Sequence, residues 1–319
     1  MDSSLFERLI LFILFCHSFI HCSSVSKREL KRPESVLGEV YEFVGYNEVT
    51  QSYLIDYSTP YQVPLEDIRA LKKKPTLKTH GFTYVSGRPV TGIEKLVTSS
   101  DEHRDALNAD AVKLVKELMG SKPTVTFGTG FRDLTKLGPM NSAPVIHSDL
   151  SPEGAAWKKF VTQNRLFGST DPDQIKFAKH LKEGKDVVIL NVWRPIRTVK
   201  DNHLGFCKWD TLLKEDALPR NIKPTEASNA LQPWKYRPGQ RWYYLSEQQP
   251  DEAFIFMQHD STARDGHGIN VAHASINLKG HKDPFTRASF ETKVMVIVDP
   301  PIIRRLSRIW ERIKSSLTK

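Results

Sequence analysis

Three short segments of the sequence carry side chains that can bind a metal ion and an organic acid. His147 and Asp149 stand in the first segment, His273 in the second, and Arg287 and Ser289 in the third. Two imidazoles and one carboxylate can hold an iron(II) ion on one face and leave three coordination positions open for cosubstrate and oxygen. A guanidinium and a hydroxyl further along the chain can hold the far carboxylate of an organic-acid cosubstrate. The pattern predicts an oxygenase that uses iron(II) and 2-oxoglutarate.

The His-x-Asp pair occurs three times, and only one occurrence combines suitable local geometry with later histidines. His103 lies at the start of a helical pattern, where residues two apart do not share a face. His281 is the last histidine in the chain, so no third ligand can follow it. His147 follows the extended run 143–146, and residues two apart on a strand point to the same side. We therefore predict that His147 and Asp149 bind the metal; the alternative is an exposed loop histidine beside a turn aspartate.

The third ligand must be a later histidine, and the candidates are His180, His203, His259, His267 and His273. His273 is favoured because the Arg-x-Ser triplet that begins at Arg287 follows it by 287 − 273 = 14 residues. That spacing allows a hairpin to bring the triplet beside the metal. His259 is the main alternative, since it ends a predicted strand beside Asp260.

Length, composition and charge describe a globular chain. The sequence has 319 residues, of which 39% are hydrophobic and 26% are charged, which is enough to build a sizeable core. The net charge of +9 is spread over separate patches and is not gathered into one stripe with interleaved aromatic residues. We therefore expect no nucleic-acid partner. The predicted partner is a small-molecule substrate. The positive charge of the protein would attract an acidic substrate, so that class stays an alternative.

The N-terminal segment, 1–24, resembles a signal peptide or a membrane anchor. Its apolar run, 9–20, is short for a spanning helix, which needs about 20 apolar residues, and it suits the apolar region of a signal peptide. Residues 25–37 are interpreted as a linker and 38–319 as the catalytic domain. Localisation stays open between a cytoplasmic catalytic domain and a secretory or membrane-associated protein with contact through 9–20. Cys207 is the one cysteine after the segment, so no internal disulfide is expected.

The catalytic domain contains helical patterns and many short strand-like runs. Apolar spacing predicts helices near 107–118, 172–184 and 302–317. Strand-like runs occur at 41–44, 52–55, 123–127, 187–193, 241–245, 253–257 and 290–298. The order of these elements, with helices first and many strands afterwards, favours an α+β fold. Its core is expected to be a double-stranded β-helix, or jelly-roll-like barrel, with flanking helices. In such a barrel, ligands from separate strands can converge at the mouth. The basic C-terminal helix is expected to pack on its own domain rather than on a membrane.

Further motifs resemble those of a known family. The run Asn191-Val192-Trp193-Arg194-Pro195 looks like the Asn-x-Trp-Arg-Pro signature of the fungal AsaB hydroxylase/desaturase family, the CmcJ/NvfI-like oxidoreductases. Trp242-Tyr243-Tyr244 is similar to its Trp-Tyr-Tyr, and the segment 287–291 to its Arg-x-Ser-Ile-Glu. The likeness extends over about residues 38–298. Asn191 and Arg194 are accordingly expected to bind the cofactor, and Trp193 and Tyr244 to line the substrate pocket.

The resemblance implies oxidative tailoring of a fungal secondary metabolite, by hydroxylation or by desaturation, on a substrate of polyketide, terpenoid or peptide origin. Some members of the family imply dependence on iron and 2-oxoglutarate. The sequence departs from the family pattern at Lys208, at Lys293 and in the run Ala274-Ser275-Ile276. These departures keep a second class of function open, a non-catalytic small-molecule-binding protein on the same barrel fold. A third possibility is another tailoring enzyme of the same fold, such as a methyltransferase-partner protein, but no glycine-rich nucleotide loop supports an independent cofactor site.

Overall fold

The structure is a computed structural model that describes residues 36–47, 49–50, 52–93, 101–137, 142–218, 222–281 and 283–299. The predicted segment 1–24, with its apolar run 9–20, and the predicted helix 302–317 lie outside the described residues. The first described strand begins at Val36, inside the range predicted as a linker. In the part of the chain that the structure describes, no helix is both long enough and apolar enough to cross a membrane.

Seven strands form the larger of two main sheets. They are β1 (Val36–Val40), β4 (Tyr61–Asp67), β7 (His147–Ser148), β9 (His203–Cys207), β10 (Gln232–Pro233), β11 (Trp242–Tyr244) and β13 (His273–Leu278). The strand order is β1-β4-β11-β9-β13-β7-β10, and β1 also pairs with β13. β4 and β11 run parallel, and the other neighbours are antiparallel. A separate ribbon joins β2 (Phe43–Asn47) to β3 (Ser52–Ile55).

Five antiparallel strands form the smaller sheet. They are β5 (Phe82–Val85), β6 (Thr124–Asp133), β8 (Asp186–Pro195), β12 (Ala253–Asp260) and β14 (Ala288–Val298), in the order β5-β12-β8-β14-β6. The two sheets pack face to face. Phe206 of β9 contacts Phe82, Phe254 and Phe256 of the smaller sheet, at ring-centroid distances of 4.9, 4.7 and 4.9 Å. The predicted α+β fold with a jelly-roll-like core is confirmed.

Helices flank the smaller sheet. They are α1 (Leu77–His80), α2 (Asp101–Met119), α3 (Leu134–Leu137), α4 (Pro152–Phe167) and α5 (Pro172–Lys182). α2 lies on β14, where Thr292 Oγ1 is 3.0 Å from Asn108 Oδ1. α4 and α5 pack on each other and cover apolar residues of β8 and β14, such as Ile189 and Met295. Ile189 shares a face of β8 with Asn191, so α4 and α5 cover one end of the face that also lines the barrel. α2 covers the opposite face, where Ala111 and Leu114 pack with Leu190 and Val192.

Most predicted elements correspond to observed ones, but one predicted connection is wrong. The helices predicted near 107–118 and 172–184 coincide with α2 and α5. Of the strand predicted at 41–44, only residues 43–44 lie in a strand, β2, since β1 ends at Val40. The hairpin predicted between His273 and Arg287 is not formed. β13 belongs to the larger sheet and β14 to the smaller, so the chain crosses between sheets at this point. The triplet that begins at Arg287 therefore approaches His273 from the opposite sheet.

Candidate metal centre

Two histidines lie side by side on neighbouring strands of the larger sheet. His147 of β7 is the direct antiparallel partner of His273 of β13, and the ring centroids are 4.4 Å apart. The Nδ1 atom of His147 is 2.9 Å from the carbonyl oxygen of Val145, and that of His273 is 3.1 Å from the carbonyl oxygen of Val271. A carbonyl can only accept, so each Nδ1 carries the proton and donates it. Each Nε2 therefore keeps its lone pair, as a metal ligand requires.

Asp149 completes the group two residues after His147. The ligand atoms of His147, Asp149 and His273 all lie within 4.8 Å of one another. Oδ1 of Asp149 lies 3.8 Å from His147 Nε2, while Oδ2 accepts hydrogen bonds from Asn191 Nδ2 and Lys293 Nζ. One carboxylate oxygen is thus held by protein donors, and the other faces the histidines. In the part of the chain that the structure describes, no other group of three such side chains has this spacing.

Burial and nearby charges set the ionisation of the three side chains. Burial, with the neighbouring His273, lowers the pKa of His147 to about 4, and burial lowers the pKa of His273. Burial acts to raise the pKa of Asp149, but Lys293 and the two imidazoles outweigh it and hold that pKa well below its usual range. At neutral pH the group therefore offers two neutral imidazoles and one carboxylate. This donor set fits iron(II).

The group opens into a cavity of about 400 Å³ that Arg287, Ser289 and Ser275 also line. Arg287 is 1% exposed. Its Nη1 donates to Ser275 Oγ at 3.3 Å, and among the described residues its Nε has no hydrogen-bond partner. The guanidinium lies over Trp193, 5.8 Å from the ring centroid. A buried cation with a spare donor in a cavity wall is suited to a carboxylate ligand.

The buried charge of Arg287 is unfavourable for the stability of the protein when no anion is bound. Burial, with a smaller effect of the nearby Arg132, lowers the pKa of Arg287 to about 9. The guanidinium still carries its charge at neutral pH. Glu291 lines the same cavity, but its carboxylate pairs with Lys293 at 3.1 Å. An incoming carboxylate would therefore compensate a charge that the described part of the protein leaves without an ion-pair partner.

The structure does not bring the predicted cofactor ligand Arg194 to the cavity. Side chains alternate along a strand, so Asn191 and Trp193 of β8 face the barrel while Arg194 faces outward. There Arg194 pairs with Asp110 of α2 at 2.6 Å. The prediction for Arg194 is corrected: its side chain joins β8 to α2. Asn191, also predicted to bind the cofactor, contacts Asp149 instead.

The predicted pocket residue Tyr244 and the competing histidines lie outside the metal group. Tyr244 is buried in the core, its ring is 5.2 Å from that of His203, and it does not line the cavity. The prediction for Tyr244 is therefore corrected. His259 and His267 contact each other, with their Nδ1 atoms 2.8 Å apart, and His180 lies on α5.

Lys293, Lys158 and Gln258 are among the side chains at the site that the sequence analysis did not predict. Lys293 could have been found from strand alternation, because it follows Ser289 by four residues on β14 and therefore faces the same side. Lys158 of α4 lines the cavity, with its Nζ 5.0 Å from the Trp157 ring. Gln258 accepts a hydrogen bond from the backbone N–H of Asp149. The sequence carries no local signal for Lys158 or Gln258.

Comparisons with known proteins agree with this geometry. A family model described as "Oxidoreductase/YMDC permease-like domain" matches residues 32–297. "Alpha-ketoglutarate-dependent dioxygenase phiK" of Fungal sp. is 27% identical over 204 residues, which are 59% of this chain and 68% of the relative. "Alpha-ketoglutarate-dependent dioxygenase tstK" of Talaromyces stipitatus is 23% identical over 249 residues, 74% of this chain and 84% of the relative. "Gibberellin cluster GA4 desaturase" of Gibberella fujikuroi is 27% identical over 214 residues, 61% of this chain and 58% of the relative.

The fold also matches a solved structure. The structure titled "iron and alpha-ketoglutarate-dependent endoperoxidase NvfI with different conformation" superposes with a TM-score of 0.63 at 21% sequence identity. The match covers 83% of this chain and 97% of that one. At this identity the likeness shows that the two proteins share a fold.

Proposed function

The chain belongs to the family described as "Oxidoreductase/YMDC permease-like domain", and on that premise we propose that it is an oxidoreductase that uses iron(II) and 2-oxoglutarate. Its reaction is the hydroxylation or desaturation of a small-molecule secondary metabolite. The observation that carries the proposal is the close grouping of His147, Asp149 and His273 at the wall of a cavity. The relatives named as dioxygenases and a desaturase favour an enzyme over a non-catalytic binding protein.

The three side chains would hold iron(II) through His147 Nε2, Asp149 Oδ1 and His273 Nε2. The bound metal supplies the oxygen chemistry that a protein side chain lacks. Three protein ligands would leave further coordination positions for the cosubstrate and oxygen. Asn191 and Lys293 hold the other oxygen of Asp149, so the carboxylate is oriented before the metal binds. Such partners fix ligand orientation and raise metal affinity.

Arg287 and Ser289 would bind the far carboxylate of 2-oxoglutarate. Both line the cavity from the smaller sheet, opposite the two histidines. A guanidinium can grip a carboxylate through two parallel hydrogen bonds, which an ammonium cannot reproduce. The Trp193 ring beneath Arg287 limits the directions in which those donors point. The cosubstrate would thus be oriented at one end by fixed donors.

The remaining part of the cavity would receive the substrate. Its volume of about 400 Å³ lies within the range of about 300–1,000 Å³ for small-molecule sites. Lys158 and the segment 227–231 contribute lining residues on this side. We propose a secondary metabolite of polyketide, terpenoid or peptide origin. Membrane contact through residues 9–20 stays a prediction.

Anaerobic titration of the full-length protein tests the proposal. Iron(II) and then 2-oxoglutarate should give a metal-to-ligand charge-transfer band at a stoichiometry of one iron per chain. Asp149→Ala and His273→Ala should abolish tight iron binding. His259→Ala removes another buried histidine and should keep most of the iron affinity. Normal iron binding by His273→Ala together with loss in His259→Ala would contradict the ligand assignment.

A further inference from the structure

A buried amide joins the chain segments that carry two of the proposed metal ligands. Gln258 of β12 has no exposed surface. Its Oε1 accepts a hydrogen bond from the backbone N–H of Asp149 at 2.6 Å, and its Nε2 donates to the carbonyl oxygen of Val271 at 3.2 Å. The same carbonyl oxygen accepts the hydrogen bond from His273 Nδ1 at 3.1 Å. The amide therefore connects the backbone of one ligand to the group that orients the other.

Gln258 stands at an irregularity of β12. The pairing register with β8 shifts between Met257 and His259, which makes Gln258 the extra residue of a bulge. A bulge redirects a side chain that regular alternation would send elsewhere. Here the redirected amide belongs to the smaller sheet, while the strands that carry His147 and His273 belong to the larger sheet.

The orientation of the amide is fixed by its partners. The backbone N–H of Asp149 requires an acceptor, and the carbonyl of Val271 requires a donor, so the oxygen and nitrogen of Gln258 cannot exchange places. Nε2 also donates to the carbonyl oxygen of Met257 at 2.9 Å, and that oxygen accepts the backbone N–H of Val271 at 3.0 Å. The amide thus has a partner for its acceptor and for both of its donors. Such a fully satisfied buried amide holds its neighbours in one arrangement.

We propose that Gln258 is a positioning residue that keeps the Asp149 carboxylate and the His273 imidazole in register across the barrel. It contacts neither the metal nor the cosubstrate in this arrangement, and it acts through the backbone N–H of Asp149 and the carbonyl of Val271. Asn270 supports the same segment, because its Nδ2 donates to the carbonyl of Leu150 at 2.9 Å. The inference rests on the proposed metal centre.

Cobalt(II) binding to the full-length Gln258→Met protein tests this role. Methionine is similar in length to glutamine, but it removes both the acceptor and the donors. We expect the cobalt(II) affinity to fall about 10–100-fold, the range found when partners of metal ligands are removed. The visible d–d absorption of bound cobalt(II) should also change, because two of its ligands are no longer held in place. A general loss of stability would not alter that spectrum.

Gln248→Met is the matched control. Gln248 is 2% exposed, and its Nε2 donates to the carbonyl oxygen of Glu252 at 3.2 Å. This variant loses a buried amide of the same kind and should keep the cobalt(II) affinity and spectrum of the unsubstituted protein. If Gln258→Met does not fold, Gln258→Glu replaces it. Its carboxylate can still accept from Asp149 but cannot donate to Val271, so the affinity should fall and the spectrum should shift.

If Gln258→Met keeps the cobalt(II) affinity and spectrum of the unsubstituted protein, Gln258 is not a positioning residue, but the proposed metal centre is unaffected. The same holds for Gln258→Glu if that variant has to be used. Failure of the unsubstituted protein to bind cobalt(II) would overturn the metal centre as well. The two failures are therefore distinguishable.

Discussion

Replacement of Arg287 by methionine should have opposite effects on cosubstrate binding and on stability. The side chain is 1% exposed, and burial, with Arg132, lowers its pKa from its usual range to about 9. At about 1.36 kcal/mol per pKa unit, this shift corresponds to about 5 kcal/mol against the charged form. Because the pKa of Arg287 is lower in the folded protein than in the unfolded chain, the penalty applies in full below about pH 9 and diminishes as the pH rises above it.

Methionine removes this charge and keeps an unbranched apolar side chain. Replacement of even a buried ion pair by apolar groups of similar volume is often neutral or raises stability by about 1–4 kcal/mol, and Arg287 has no ion-pair partner among the described residues to lose. We expect a gain of that order in the free energy of unfolding of the cosubstrate-free protein. Cosubstrate binding should lose two charged hydrogen bonds of about 1.5–3 kcal/mol each. At about 1.4 kcal/mol per tenfold, the dissociation constant of 2-oxoglutarate should rise at least about 100-fold.

Urea unfolding measures the stability of Arg287→Met, and anaerobic titration of the charge-transfer band measures its dissociation constant for 2-oxoglutarate. Arg194→Met is the matched control, since Arg194 is equally buried but faces α2 and pairs with Asp110. This control should leave 2-oxoglutarate binding unchanged and should lower the free energy of unfolding, because Asp110 loses a partner. An unchanged dissociation constant in Arg287→Met, or an equal loss in both variants, would refute the reasoning.

Three further predictions concern neighbouring groups. Ser289→Ala should raise the dissociation constant of 2-oxoglutarate by roughly 10–100-fold, because it removes one hydrogen bond of about 1.5–3 kcal/mol to the carboxylate, whereas Arg287→Met removes two; a loss as large as that in Arg287→Met would contradict its assigned role. Asn191→Ala should weaken iron(II) binding about 10–100-fold in a chelator competition, because the Asp149 carboxylate loses a donor; an unchanged affinity would count against this. Burial lowers the pKa of His259 to about 3, so its stabilising effect is present above about pH 6.5 and is lost as the pH falls. Between pH 8 and pH 5 the unsubstituted protein should lose about 2 kcal/mol more free energy of unfolding than His259→Asn, and equal losses in urea titrations would refute the assignment.

Local rules predicted the pair His147 and Asp149, because residues two apart on an extended run share a side. His273 was chosen for its spacing to Arg287, and the structure does bring these residues to one cavity. The expected hairpin was nevertheless wrong, since β13 and β14 belong to different sheets. A spacing of residues limits how far two groups can be apart, but it does not determine which sheet each strand joins.

The face of a strand was the main property that the sequence did not reveal. Arg194 follows Trp193 directly, so only one of them can face the barrel, and the pattern of apolar residues did not decide which. Gln258 was harder to anticipate, because a bulge of one residue changes the side on which a side chain lies. Helix α4 was missed in the sequence analysis, although two signals for its start are present. The side chain of Ser151 accepts a hydrogen bond from the backbone N–H of Gly154, and Pro152 is the first helical residue.

Anomalous diffraction at the iron edge, from crystals grown anaerobically with iron(II) and 2-oxoglutarate, tests the central claim most directly. The account predicts one strong peak per chain in contact with His147 Nε2, Asp149 Oδ1 and His273 Nε2. It also predicts 2-oxoglutarate with one carboxylate on Arg287 and Ser289. A peak at His259 and His267, or no ordered peak within the cavity, would contradict it.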